Sequence, residues 1–248
     1  MQIGSWQIWP YTQRIVAGVA LALLWIWMMG PRRGFDRRRL IGLVWLLALG
    51  ALLGGRLGYV LENVRYFTDR PGDIVAVRQI GGLHGAGAWF GGAFALIVWF
   101  RLRGEALFSL LQLILPAALL VAAGAWWGCA DAGCAWGQEA LSAPSALRWL
   151  VVDAPDLYHT VKPRYAVQLI AALVALLMAG LAMLFPGRSY LFVAGYLLGA
   201  AGLGLLRADP AVMIWGYRLD GWMRLALTIF LMGLCLKDSM VDVQPVGN

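Results

Sequence analysis

Seven long apolar runs dominate the hydropathy pattern of this chain, each separated from the next by a more polar, glycine- or proline-bearing segment, the longest being 128–164. They cover about Ile15 to Met29, Leu40 to Leu53, Leu83 to Phe100, Leu107 to Trp127, Tyr165 to Phe185, Tyr190 to Leu206 and Trp222 to Leu236. Runs of this kind have the length and composition of helices that cross a hydrocarbon core. The pattern therefore predicts an all-α integral membrane protein with about seven transmembrane helices in one polytopic domain, 1–248, without a soluble domain or a long internal repeat. Pro116 lies inside the fourth run, where a membrane helix can kink at proline without breaking.

The polar segments set the orientation. PRRGFDRRR, Pro31 to Arg39, follows the first run with five arginines in nine residues, and Arg101 and Arg103 fall on the same side two spans later. The positive-inside rule predicts this side as cytoplasmic and the amino end as outside. The outside connections are then about 54–80, 128–164 and 207–221. The stretch from Glu62 to Gln79 reads as an interfacial hairpin or short helix, and RADPAVMIWGYRLDG reads as turns. Trp6, Trp9 and Tyr11 form an interfacial belt ahead of the first span. The amino end has no basic region followed by a short apolar core and a small-residue cleavage site, so no removable signal peptide is expected.

Composition removes several classes of function. With 61% hydrophobic and 13% charged residues and a mean hydropathy of +0.73, no water-soluble surface can be built. The net charge of +7 is then a matter of topology and anionic lipid contact, since no aromatic and basic segment is long enough for a nucleic-acid groove. Two histidines and three cysteines, without a cluster, argue against a metal site. Cys129 and Cys134, five apart in a connecting loop, fit either a disulfide in an oxidising compartment or two free buried thiols. Few intramembrane charges and no inverted repeat argue against a transporter.

Candidate chemistry gathers around the glycine-rich IGGLHGAGAWFGG, Ile80 to Gly92. A neutral imidazole at membrane depth needs a polar partner or a wet cavity, which makes His84 the first functional candidate. The plainer alternative is close helix packing by the glycines and one hydrogen bond from His84 to a backbone carbonyl. Arg56 and Tyr59 lie on another glycine-rich stretch, where a guanidinium must pair or snorkel. The expectation is that Arg56 forks onto an anionic lipid headgroup, with a salt bridge to Glu62 or another acid as the competing account. Trp25, Trp27, Trp89 and Trp99 present surfaces suited to lipid or to other helices or pigments.

The order of the motifs carries a resemblance. IGSWQIWPY before the first span, GGRLGYV after the second, GLHGAG at the third, GCADAGCAWG after the fourth and YAVQL opening the fifth resemble the prolipoprotein diacylglyceryl transferases, from about Ile3 to Leu236. The resemblance implies a protein of the bacterial cytoplasmic membrane that moves diacylglyceryl from phosphatidylglycerol to a lipobox cysteine of a preprotein. It places Arg56 and His84 where the family keeps an arginine and the histidine of its His-Gly-Gly motif, with Ala86 in place of the second glycine. As catalytic residues these two matter only if activity is retained. As lipid contacts it points to Arg56, Tyr59, His84, Gln168 and Arg207. No cofactor is implied beyond a bound phospholipid, phosphatidylglycerol.

Several family positions differ. The arginine opening the signature after the fourth span is Trp126 here, followed by Trp127, Gly128 and Cys129. Of the family's motif at the fifth span only Gln168 and Leu169 remain, and Ala200 and Gly204 stand where the sixth span carries an arginine and a glutamate. Loss of such cations removes electrostatic stabilisation worth ~3 kcal/mol each. The expectation is therefore a catalytically degenerate relative acting as a lipid-binding or structural subunit among other membrane proteins; the alternative is an active transferase, with a lipobox preprotein as its partner.

Overall fold

Helices that are apolar on every side need a lipid surround, and the chain supplies a bundle suited to one. The computed structural model describes residues 2–3, 6–7, 10–77, 81–104, 106–141, 143–156 and 158–241. Its long helices are α1 (Pro10–Arg32), α2 (Arg37–Glu62), α4 (Gly85–Arg103), α5 (Leu107–Ala132), α6 (Val167–Leu184), α7 (Ser189–Leu203) and α8 (Leu219–Val241); α3 (Val64–Asp69) is one short turn after α2. Among the described residues six candidate spans are long and apolar enough to cross a membrane. The 23-residue α8 occupies the seventh predicted run. The expected all-α membrane fold is what the chain adopts.

The most enclosed span is α5, which packs against α1, α6 and α7. Its Leu110, Leu113 and Leu119 are fully buried. On α6 the small side chains Ala171, Ala175, Ala179 and Ala182 share one buried face, while Leu169, Leu173, Leu176 and Leu184 are exposed. This is the membrane arrangement, with small residues where helices meet and large ones toward lipid. Glycines bring two pairs of helices closer still. A Cβ on Gly50 of α2 would lie 2.6 Å from the Gly91 carbonyl oxygen of α4, and one on Gly18 of α1 would lie 2.6 Å from the Leu120 carbonyl oxygen of α5.

Several boundaries differ from the sequence reading. Helix α2 runs through Gly54 to Glu62, nine residues past the predicted end at Leu53, so the connection placed at 54–80 starts after Glu62 and contains α3 and a 3-10 turn, Pro71–Ile74. Glycines 54, 55 and 58 do not stop it because they serve helix contact rather than termination. Helix α5 likewise extends to Ala132, where Gly133 closes it in the left-handed conformation (φ 68°). Cys129 therefore sits in the last turn of a helix and not in a loop. It forms a disulfide with Cys134. Pro116 is buried inside α5 without interrupting it.

The connections at the end of the bundle opposite the arginine-rich turns also hold strands that hydropathy did not suggest. β1 (Gln2–Ile3) pairs with β2 (Trp6–Gln7), β3 (Val151–Pro155) with β4 (Val161–Tyr165), and β5 (Met213–Ile214) with β6 (Tyr217–Arg218), all antiparallel. The segment after the disulfide ties β4 to the chain at 206–208. Gln138 N–H donates to the Leu206 carbonyl (2.8 Å), Ala208 N–H to that of Trp136 (2.9 Å), and Tyr165 N–H to that of Gln138 (3.1 Å). This small layer caps the bundle and fixes Arg207. Of the earlier expectations, Trp9 and Ile80 lie outside the described residues, as do the side chains of Trp6 and Cys235.

Candidate functional site

Arg56 is buried on α2, and its guanidinium donates to main-chain carbonyls. Its Nε donates to the Ile74 carbonyl (2.7 Å), one terminal nitrogen to those of Gly81 and Gly82, and the other to that of Asp73 (2.6 Å). The guanidinium carbon also stands 5.5 Å from the Tyr59 ring centre and 5.2 Å from that of Phe67. Gly82 (φ +82°) is pressed against the Tyr59 ring, so a side chain there is excluded twice over. One guanidinium thus holds the chain between α3 and α4 by its main-chain carbonyls. The guanidinium is thus engaged by main-chain carbonyls, and no ion pair of Arg56 with Glu62 is seen among the described residues.

His84 caps α4. The Gly87 N–H donates to its Nδ1 (3.0 Å), and its own N–H donates to the Gly55 carbonyl (2.8 Å). Gly58 leaves room for the ring, since a Cβ there would lie 2.9 Å from Nδ1. On the other side of the ring, Nε2 is 3.2 Å from Oε1 of Glu62. That contact is close in distance but out of line for a hydrogen bond, so buried Nε2 has no aligned partner among the described residues. Glu62 ends α2 and is the acid nearest this histidine.

A second cluster lies at the mouth of α7 and α8. Arg207 grips both carboxylate oxygens of Asp209 (2.8 and 2.6 Å) and reaches Asp220 at 2.7 Å. Arg218, from β6, bridges Asp209 (2.9 Å) and Asp220 (3.2 Å), and Arg224 of α8 lies 2.9 Å from Asp220. The nearby charges of Asp209 and Asp220 outweigh the burial that disfavours the Arg207 cation, and raise its pKa above the ordinary value. Three guanidinium groups on two carboxylates leave one positive charge uncompensated within the cluster. Arg224 carries a buried terminal nitrogen, the one facing Asp220, with no aligned hydrogen bond among the described residues. A cavity of about 360 Å³ opens beside Arg207 and Arg218, lined also by Gln138, Met213 and Tyr217.

Trp126 forms the inner wall of this cluster. The guanidinium carbons of Arg207 and Arg224 stand 5.7 and 5.9 Å from its ring centre, and its Nε1 donates to the Tyr196 hydroxyl (2.9 Å). Tyr196 in turn meets Trp89 of α4 at 5.9 Å. Helix α4, which His84 caps, also packs against α8, which carries Asp220 and Arg224. Gln168 stands apart, donating to the Cys134 carbonyl (3.0 Å) and so holding the disulfide loop. Arg164 is likewise occupied, paired with Asp156 at 3.1 Å inside the β3–β4 hairpin.

Comparison with known proteins now bears on this geometry. The sequence model of the family described as prolipoprotein diacylglyceryl transferase matches residues 1–237. The chain belongs to that family. A phosphatidylglycerol–prolipoprotein diacylglyceryl transferase of Synechococcus elongatus is 27% identical over 266 residues, covering 98% of this chain and 89% of the relative. One of Corynebacterium glutamicum is 29% identical over 250 residues, covering 88% and 76%. A third, of Bacillus mycoides, is 30% identical over 128 residues, covering 52% and 47%.

Within the family resemblance, the positions that read as losses have new neighbours. Two arginines from later in the chain stack on Trp126, where the family pattern has an arginine. The Arg218 side chain approaches within 3.7 Å of a Cβ built on Gly204, where the pattern has a glutamate. Sequence reasoning named Arg207 but missed Asp209, Arg218, Asp220 and Arg224. The available signal was five charges in eighteen residues at the edge of an apolar span, which turn chemistry alone does not require.

Proposed function

We propose that this chain transfers the diacylglyceryl group of phosphatidylglycerol to the thiol of a prolipoprotein cysteine, with its phosphate site built on Arg207, Arg218 and Arg224. The observation that carries this reading is the buried cluster of three guanidinium groups on two carboxylates, two of whose arginines, Arg207 and Arg218, line a cavity. In the reaction the thiol loses its proton and the thiolate attacks the glyceryl carbon. The carbon–oxygen bond to phosphate breaks, and glycerol phosphate leaves with the electron pair and takes up the released proton. Arginine donors aimed at the phosphate oxygens stabilise the charge that grows on this leaving group, and loss of one such donor costs about 10²–10³-fold in rate. Bound phosphatidylglycerol and the bacterial inner membrane belong to the same reading.

The test is direct. The purified full chain in phosphatidylglycerol nanodiscs, given a synthetic lipobox peptide, is expected to add a diacylglyceryl mass to the peptide. Arg218→Ala and Arg224→Ala are expected to slow this addition by about 10²-fold or more, and full rates in both variants would remove the phosphate site from this cluster.

A second reading has its own observation. Arg207, Arg218 and Arg224 are all ion-paired with acids of this chain, and such pairing also suits a lipid-binding, non-catalytic subunit docked to other membrane proteins. An intact lipid site without transfer in the nanodisc assay would favour it.

A further inference from the structure

Nδ1 of His84 accepts the Gly87 N–H, so its lone pair is committed to the first turn of α4. A neutral imidazole carries one proton, which this contact assigns to Nε2. Nε2–H is therefore a donor, buried and without an aligned acceptor, and the nearest acceptor is the Glu62 carboxylate 3.2 Å away. To take a proton from a thiol, His84 would have to free Nδ1 and abandon the helix cap, or lose the proton it holds on Nε2. Glu62 has neither difficulty. It is partly open to an incoming group, with 18% of its side chain exposed against 9% for His84, and its carboxylate is an acceptor as it stands.

On the transferase reading above, we infer that Glu62 takes the thiol proton and that His84 positions its carboxylate by donating from Nε2. The proton passes from sulfur to a Glu62 oxygen, the thiolate attacks the glyceryl carbon, and Glu62 returns the proton to the departing glycerol phosphate. Asp220 on α8 keeps its own three arginines throughout.

Two isosteric variants separate the roles. Glu62→Gln keeps an acceptor for Nε2–H but cannot hold a proton; His84→Asn keeps a good cap for the Gly87 N–H but no longer reaches Glu62. In nanodiscs with the lipobox peptide, Glu62→Gln is expected to lose about 10²–10⁴-fold in kcat, as for removal of a general base, together with the acid limb of the kcat/KM–pH profile. His84→Asn is expected to lose less and keep that limb. The reverse pattern would overturn the assignment.

A second measurement needs no turnover, because the chain has only two histidines. Nitrogen-15 histidine spectra, with His159→Asn used for assignment, should report Nδ1 of His84 as an acceptor and Nε2 as N–H, with Nε2 moving in Glu62→Gln. A proton on Nδ1 would overturn the inference. If the wild type adds no lipid to any lipobox peptide, the transferase reading fails and the catalytic role assigned to Glu62 falls with it, while the spectra still decide whether His84 donates to Glu62.

Discussion

Arg56 illustrates how a side chain that looks functional in sequence acquires a structural task. Four of its five N–H donors are spent on the carbonyls of Asp73, Ile74, Gly81 and Gly82. Lysine keeps the charge but is a single point donor, and cannot satisfy four acceptors in a plane. Arg56→Lys is therefore expected to cost on the order of 2–4 kcal/mol, from carbonyls left unpaired at about 1–3 kcal/mol each with partial rehydration. Thermal unfolding in detergent should register it as a lower Tm, with the same drop in the presence and absence of phosphatidylglycerol. A drop that appears only with lipid would return Arg56 to the headgroup. Trp126 supports a converse argument. Trp126→Arg recreates the family residue, yet it would bring a cation against Arg207 and Arg224 and delete the bond to Tyr196. It is expected to lower Tm and to give no gain in lipid transfer, and a gain in transfer would mean that the cluster is not the site of phosphate binding.

Helices fit together here by glycine and alanine faces, and those faces were legible only in part. The apolar runs located every long helix, because the requirement for about 20 apolar residues per crossing is strong. Their ends were not legible, since GGRLGYV reads equally as a turn and as a glycine face, and only the presence of α4 decides. A Cβ on Gly91 would run into the Gly50 main chain, while one on Gly92 meets nothing. Gly91→Ala is therefore expected to lose about 1–3 kcal/mol by overpacking, and Gly92→Ala to be neutral or slightly stabilising. Comparable losses for both in the same unfolding assay would mean that helix propensity, and not the α2–α4 seam, governs this segment. The hairpins escaped the sequence reading for another reason. β3–β4 and β5–β6 lie in polar connections where two to five residues per strand leave little alternation, and each hairpin takes its register from its own two strands. Half the candidate site was hidden with them, because Arg218 is on β6 and Asp220 opens α8.

Across the whole molecule, charge is sorted between two ends. One end carries Arg32, Arg33, Arg37, Arg38, Arg39, Arg101, Arg103 and Arg188; the other carries the disulfide, the hairpins and the paired cluster around Asp220. A disulfide is favoured in an oxidising compartment, and the positive-inside rule independently places the opposite end in the cytoplasm, so the two arguments agree on the orientation. A cysteine placed at Asp36 is expected to react with an impermeant thiol reagent only from the cytoplasmic side, and labelling from outside would invert the assignment. On this orientation the arginine cluster opens toward the outer leaflet, where a secreted preprotein and phosphatidylglycerol can meet. The consequence is a phenotype. In a bacterium depleted of its own diacylglyceryl transferase, the wild-type gene is expected to restore growth, and Arg207→Ala to abolish rescue while the protein still accumulates in the membrane. Arg207, like Arg218, contacts both acids of the cluster, and removing one member of a buried pair typically costs 3–5 kcal/mol, so accumulation of the variant must be measured alongside growth. Rescue undiminished by Arg207→Ala would detach the chemistry from this cluster, and absence of rescue by an abundant, correctly inserted wild type would favour the lipid-binding subunit over the enzyme.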